Sequence, residues 1–179
     1  NAHNTAIEVL KPGIRFKEVH LLASKKLVEG LTDLGLMKGN ADNAVAAGAH
    51  TLFFQCGLGH MMGLDIHDME NMGEQYVGYT PELEKSTEFG LKSLRLGKEL
   101  QEDFVLTVEP GLYFNPFLID ERRAQNKYMD FVNYDEVEKF KNFGGIRVEE
   151  DFVITKEGSD LLGEPLAKTV ADIEKLRNN

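Results

Sequence analysis

The sequence predicts an α+β domain. Two observations carry this: apolar residues recur at helical spacing through the first third of the chain, and β-branched and aromatic runs fill 104–114 and 144–155. Between them lies a glycine-rich break, "CGLGHMMGLDIHD", that neither pattern accommodates. Taken in order, Ala2 to Leu10 reads as the end of a helix stopped at Pro12-Gly13. Phe16 to Leu34 follows, with Phe16, Val19, Ala23, Leu27 and Leu31 on one helical face and Gly35 as the stop. Ala41 to Ala49 is alanine-rich and reads as a further short helix. From Thr51 the texture becomes strand-like ("TLFFQCGLGH") before the glycines intervene. Asn71 to Lys92 is polar, a loop with one helical stretch. "FVLTVEPGLYF" and "GGIRVEEDFVIT" are strands, with a surface helix between them at "NYDEVEKFKNF". The tail "TVADIEKLR" is a helix capped by Thr169, with Asp172 three residues on. No internal repeat, low-complexity tract or linker divides residues 1–179, so they form one unit.

Charge and cysteine usage narrow the function. The net charge is −10 and no block of Lys and Arg occurs, which excludes a nucleic-acid or anionic-membrane partner that needs clustered positive charge. No apolar run is long enough to span a bilayer. A single cysteine forms no internal disulfide, so a reducing, cytoplasmic location is expected. The chain lacks an initiator Met and opens within a helical pattern, which leads us to expect a piece of a longer protein.

Strand alternation places the reactive side chains. In "VLTVEPG", Val105, Thr107 and Glu109 share one face, and Pro110 holds Glu109 extended at the strand end. In "GIRVEED", Arg147, Glu149 and Asp151 share a face, an arrangement that requires partners for its charges. Gly57, Gly59 and Gly63 clear side chains from around His60, so that other backbone or a ligand can approach closely. The glycines make a helix from His60 to His67 improbable, so the two histidines are expected on a strand and the bend after it. An imidazole with two strand-borne glutamates is ligand chemistry for Mn²⁺ or Mg²⁺, broadened by the imidazole to Co²⁺, Fe²⁺ or Zn²⁺. Each signal also has a plain structural reading: a packed histidine, a turn glutamate, an Arg-x-Glu salt bridge.

At these residues the sequence resembles the pita-bread metallopeptidases, namely the proline dipeptidases and the proline-specific aminopeptidases. The motifs "GLGHMMGLDIHD", "LKSLR", "VLTVEPGLYF" and "GGIRVEEDFVIT" occur in the family's order, and "LKPGIRFKEVH" and "GLTDLGLMKG" fit its preceding helices. The resemblance implies the C-terminal part of a pita-bread fold, a curved antiparallel sheet flanked by helices. It implies that His60, Glu109 and Glu149 are three of five ligands around two divalent ions, Mn²⁺ foremost with Co²⁺ or Zn²⁺ as alternatives, which together activate water. Glu109 would also move a proton. His67 would steady the substrate, although it could instead cap the turn with Asp65 or Asp68. Arg147 would orient a carboxylate, and Arg95 would grip the free carboxylate of an Xaa-Pro dipeptide.

Two departures qualify that picture. Cys56 stands where the family usually has a substrate-binding histidine. The family's two aspartate ligands belong to a segment expected before Asn1, and Asp33 and Asp42 lie in the wrong context to replace them. The resemblance therefore implies a metal-dependent Xaa-Pro dipeptidase as the parent, a small peptide with proline second as its partner, and a homodimer by family habit. This chain alone is expected to be inactive. The competing readings are an aminopeptidase acting on longer peptides, a non-catalytic binding module on the same fold, and a metal-free hydrolase of the creatinase kind.

Overall fold

The structure is a computed structural model and describes residues 1–178. A short helix, α1 (Ala2–Ile7), packs on the long helix α2 (Phe16–Asp33). α2 ends in a Schellman-type cap. Gly35 takes φ +74°, and the Leu36 amide donates back to the Leu31 carbonyl at 2.9 Å. α3 (Ala41–Ala46) follows, with the Asn40 side chain accepting from the Asn43 amide.

The apolar face of α2 is shared between two cores. Phe16, Val19 and Ala23 pack with Phe54, Leu58, Leu94, Leu96, Leu106 and Phe152. Val28 and Leu31, further along, join Leu36, Phe53, Phe114, Ile119 and Val137. Phe53 and Phe54, adjacent in sequence, thus enter different cores and fix the segment that leads into the glycine-rich stretch.

The strands are all antiparallel. β1 (Val105–Val108) pairs with β4 (Glu150–Ile154), which pairs with β5 (Ser159–Leu162); β2 (Gly111–Tyr113) pairs with β3 (Gly145–Arg147). Val108 opposes Glu150 and Gly111 opposes Arg147, so the register is unchanged across the gap between the two ladders. The interruption falls at Glu109-Pro110, where proline has no amide to donate. It therefore sets Glu109 opposite Glu149. On the other edge of β1, residues 58–62 run alongside: the Glu109 amide donates to Leu58 O, Thr107 to His60 O, and Met62 to Val105 O.

α4 (Glu74–Gly78), α5 (Pro116–Ala124), α6 (Tyr134–Val137) and α7 (Val170–Arg177) complete the fold. Among the described residues no helix is long and apolar enough to cross a membrane. Glu150, unlike its neighbour Glu149, is buried. It accepts from the Leu166 amide at 2.9 Å and from Lys168, and lies 3.6 Å from His3.

Several expectations need correction. The strand-like run from Thr51 forms a 3-10 turn over Ala49–Leu52 and then an irregular edge with one isolated bridge, because Gly57 and Gly59 offer no side chains to hold a regular strand. The single strand expected over 144–155 is two, β3 and β4, broken opposite Pro110. The helix at 134–140 is not wholly on the surface, since Tyr134 and Val137 are buried. α5 and β5 were not anticipated, although Asn115-Pro116 carries a helix-start signal that the structure uses, the Asn115 side chain accepting from Phe117 and Leu118.

Two buried histidines set a pH limit on stability. His20 (α2) and His50 lie with ring centroids 6.3 Å apart, and His50 finds no hydrogen-bond partner for either ring nitrogen. Burial, with the neighbouring His50 charge, pushes His20 down to about 3, and burial pushes His50 to about 4. The folded state therefore resists protonation that the unfolded chain accepts at its ordinary value of 6.5. Between 6.5 and about 4 the unfolded state binds more protons, so stability falls as pH falls through that window. Urea midpoints measured from pH 7 to pH 4 are expected to drop, and His50→Leu to flatten part of that slope.

Candidate metal centre

Three neighbouring strand segments bring the chemistry to one face. His60 lies beside Thr107 on the edge segment, Thr107 and Glu109 lie along β1 and its end, and Arg147 and Glu149 lie across from them. Residues directly opposite in an antiparallel ladder point the same way, so these side chains converge. The edge segment can approach β1 this closely because Gly59 has no side chain: a Cβ there would sit 1.9 Å from the Thr107 carbonyl oxygen. At Gly63 a Cβ would meet the Asp68 carboxylate at 2.5 Å, a side-chain contact that Asp68 can relieve by moving.

His60 is oriented from both ends. Its backbone amide donates to Thr107 Oγ1 at 3.1 Å, and Nδ1 lies 3.0 Å from the Met61 carbonyl. A carbonyl only accepts, so Nδ1 carries the hydrogen and Nε2 faces Glu109 Oε1 at 3.2 Å. That is how a metal-ligating histidine is usually prepared, with the far nitrogen fixed by a backbone oxygen. Burial lowers the His60 pKa, but the bonds to Glu109 and Met61 outweigh it and the net shift is upward. For Glu109, burial raises the pKa, while the bond to His60 and the Arg147 charge lower it further, leaving the carboxylate ionised. Thr107 Oγ1 adds a hydrogen bond to Glu109 Oε1 at 3.1 Å.

Arg147 supplies the fixed positive charge. Its Nη1 contacts Glu109 Oε2 and lies 3.6 Å from Glu149 Oε2, while Nε donates to the Tyr113 hydroxyl at 2.7 Å. Glu149 is the most open of the set, its side chain 45% exposed against 9% for Glu109. The structure thus joins His60 to Glu109 directly, and Glu109 to Glu149 only through Arg147. Among the described residues no three His, Cys, Asp or Glu side chains are grouped to hold one ion. His60 Nε2 and the two opposed carboxylates do fit as part of a divalent site, for their donor types and the prepared imidazole are right, but they do not close one.

His60, Glu109 and Arg147 line a cavity of about 570 Å³, together with Cys56, His67, Glu74, Lys92, Ser93 and Arg95, and Glu149 lies outside that lining. His67 stands edge-on to His60, centroids 4.3 Å apart. Its charged neighbour is Glu70, at 3.8 Å from Nδ1, rather than Asp65 or Asp68. Cys56 is half-buried with Sγ 3.9 Å from Arg147 Nη2. Arg95 reaches the cavity, but its Nη1 is held by Glu70 and lies 3.6 Å from Glu74. Sequence reasoning placed Thr107 on the right face without seeing that it bonds both His60 and Glu109, and it passed over Tyr113, Glu70 and Glu74.

Comparison with known proteins gives a family and a fold. Residues 1–156 match the metallopeptidase family M24. The chain is 39% identical over 170 residues to the Xaa-Pro dipeptidase of Rattus norvegicus, covering 95% of this chain and 33% of that protein. It is also 39% identical over 170 residues to a probable Xaa-Pro aminopeptidase of Verticillium alfalfae, covering 95% of this chain and 35% of that protein. The chain thus spans about a third of the length of these curated relatives. Among solved structures, zinc-substituted Escherichia coli aminopeptidase P in complex with product aligns with TM-score 0.69 at 31% identity, covering 98% of this chain and 31% of that one. The fold is accordingly the pita-bread α+β fold anticipated above.

The close approach of the edge segment is directly testable. Gly59→Ala forces a methyl group into the Thr107 backbone, which should cost about 1–3 kcal/mol of stability or more. The His60 imidazole resonances should move with it. Unchanged melting and unchanged resonances would show that the segment does not depend on this contact.

Proposed function

The chain belongs to metallopeptidase family M24, and on that footing we propose that its parent protein hydrolyses Xaa-Pro dipeptides with the help of divalent metal ions. The observation that carries this reading is the His60–Glu109 pair, Nε2 to Oε1 at 3.2 Å, on the wall of a cavity that also holds Arg95 and Arg147. His60, Glu109 and Glu149 are the residues of this chain that would hold the ions, with further oxygen ligands contributed by the rest of the parent. Divalent ions there supply Lewis acidity, polarising the scissile carbonyl and making water a better nucleophile near neutral pH. Mn²⁺ is the ion we favour, with Co²⁺ or Zn²⁺ as alternatives.

The chain's own residues do the rest. Glu109, ionised and oriented by Thr107 and Arg147, can accept a proton at Oε1 and return it to the departing amine. His67, edge-on to His60 and half open to solvent, can donate to the carbonyl oxygen as charge develops there. Arg147 holds Glu109 in place by a charge-assisted hydrogen bond and pairs more loosely with Glu149 at 3.6 Å. Arg95 reaches the cavity where a dipeptide's free carboxylate would lie. Cys56, beside Arg147, offers a weaker hydrogen-bond partner than an imidazole and reduces the grip on substrate at that point. We place the protein in the cytoplasm, where this half-buried thiol stays reduced, and take a homodimer as its working state.

One observation favours a second reading. Arg95 is engaged by Glu70 and Glu74, which weakens its claim on a free carboxylate and suits an aminopeptidase that accepts longer Xaa-Pro peptides. Two measurements on the full-length protein decide between them. Chelation should abolish turnover of an Xaa-Pro dipeptide and added Mn²⁺ restore it, with Glu109→Gln lowering kcat by about 10²–10⁴-fold. Arg95→Ala should raise KM for the dipeptide by about tenfold or more while sparing a longer peptide. Turnover that survives metal removal would rule out the metallopeptidase reading; dipeptide kinetics indifferent to Arg95→Ala would leave only the aminopeptidase.

A further inference from the structure

The segment from His67 to Arg95 carries a second charge cluster, of which the proposed chemistry uses His67 and Arg95 but neither Glu70 nor Glu74. Glu70 is nearly buried, its side chain 11% exposed, and one oxygen, Oε2, contacts Arg95 Nη1 and lies 3.8 Å from His67 Nδ1. Glu74 approaches the same Arg95 nitrogen at 3.6 Å and is paired in turn with Lys85 at 3.0 Å. Arg95 and Lys85 therefore face Glu70 and Glu74, and the cluster is neutral as folded. The backbone holds it rigidly. The Gly78 carbonyl accepts from Gly97 and Lys98, and the Tyr79 hydroxyl donates to Leu94 O at 2.7 Å, on either side of Arg95. A Cβ on Gly78 would lie 1.8 Å from the Arg95 carbonyl, so the two stretches are in direct backbone contact.

We propose that Glu70 sets how strongly this protein demands a free carboxylate on its ligand, by holding Arg95 in place while cancelling its charge. The inference rests on the reading of Arg95 as facing the substrate's C-terminus. Both acids engage Arg95 through Nη1, which leaves Nε and Nη2 with no acidic partner among the described residues. An incoming carboxylate, however, meets a guanidinium already offset by a nearly buried negative charge, where screening by water is weak. A ligand ending in a neutral amide, or continuing as a longer peptide, pays no such penalty. Glu70 thereby shifts preference away from dipeptides and towards longer peptides, without contacting the scissile bond. It is a specificity-determining and positioning residue.

Glu70→Gln separates charge from position, because its side-chain oxygen can still accept from Arg95. The test uses L-proline and L-prolinamide, two ligands that differ in C-terminal charge and that an Xaa-Pro peptidase does not cleave. Their affinities are measured by NMR titration on the full-length protein and on its Glu70→Gln and Glu74→Gln variants. Hydrolysis of Gly-Pro is assayed in parallel. Glu70→Gln should raise the proline-to-prolinamide affinity ratio by about five- to tenfold, shrinking as salt is added, and Glu74→Gln should raise it less. Should Glu70→Gln fail to fold by circular dichroism, the Glu74→Gln ratio decides. A ratio that stays level or falls, or a protein that binds proline in no variant, overturns the inference. The parallel assay judges the proposed activity separately: Gly-Pro cleavage with a level ratio overturns only the role of Glu70, and a risen ratio without cleavage overturns only the activity.

Discussion

Two carboxylates placed opposite one another on neighbouring strands repel, and everything in this site follows from what offsets that repulsion. The ladder keeps its register through the break at Pro110, so Glu109 and Glu149 have no freedom to slip apart. Like charges directly across a pair of strands destabilise it unless a cation intervenes. In this structure the cation is Arg147, two residues from Glu149 on the same face, with its guanidinium between the acids. The His60 imidazole faces Glu109 from the other side, Nε2 to Oε1 at 3.2 Å. The face is thus built to attract positive charge.

The support for this face is steric as much as electrostatic. Glycine at 59 lets an irregular edge come within backbone contact of β1. A regular strand with a side chain at that position would stand too far out for His60 to reach Glu109. The apolar residues that lead into it, Phe53, Phe54 and Leu58, anchor the segment in both cores. Irregular backbone is tolerated here because it is pinned at its start and bonded along β1.

The parts of the fold visible in the sequence were those with strong local signals. α2 was legible because five apolar residues recur on one face and Gly35 supplies the only easy left-handed stop. β1 and its Glu109 were legible because alternation and Pro110 fix both the face and the end of the strand. The break between β3 and β4 was not, because nothing in "GGIRVEED" itself signals it; the cause is a proline on the partner strand. The site was legible as residue types, His60 with Glu109 and Glu149, but not as distances. That Arg147 lies between the acids, and that Glu70 occupies Arg95, depends on pairings of residues 25 to 40 positions apart that local pattern cannot reveal.

Glu149 and Glu150 share a peptide bond and little else. The first is exposed beside Arg147; the second is buried under the sheet, tied to Lys168, the Leu166 amide and the vicinity of His3. A mutational survey that scores only lost turnover would rank these neighbours together, yet one loss would be chemical and the other a failure to fold. Telling them apart needs a measure of soluble, folded yield alongside rate, and the pair offers an internal control for any such survey of this family.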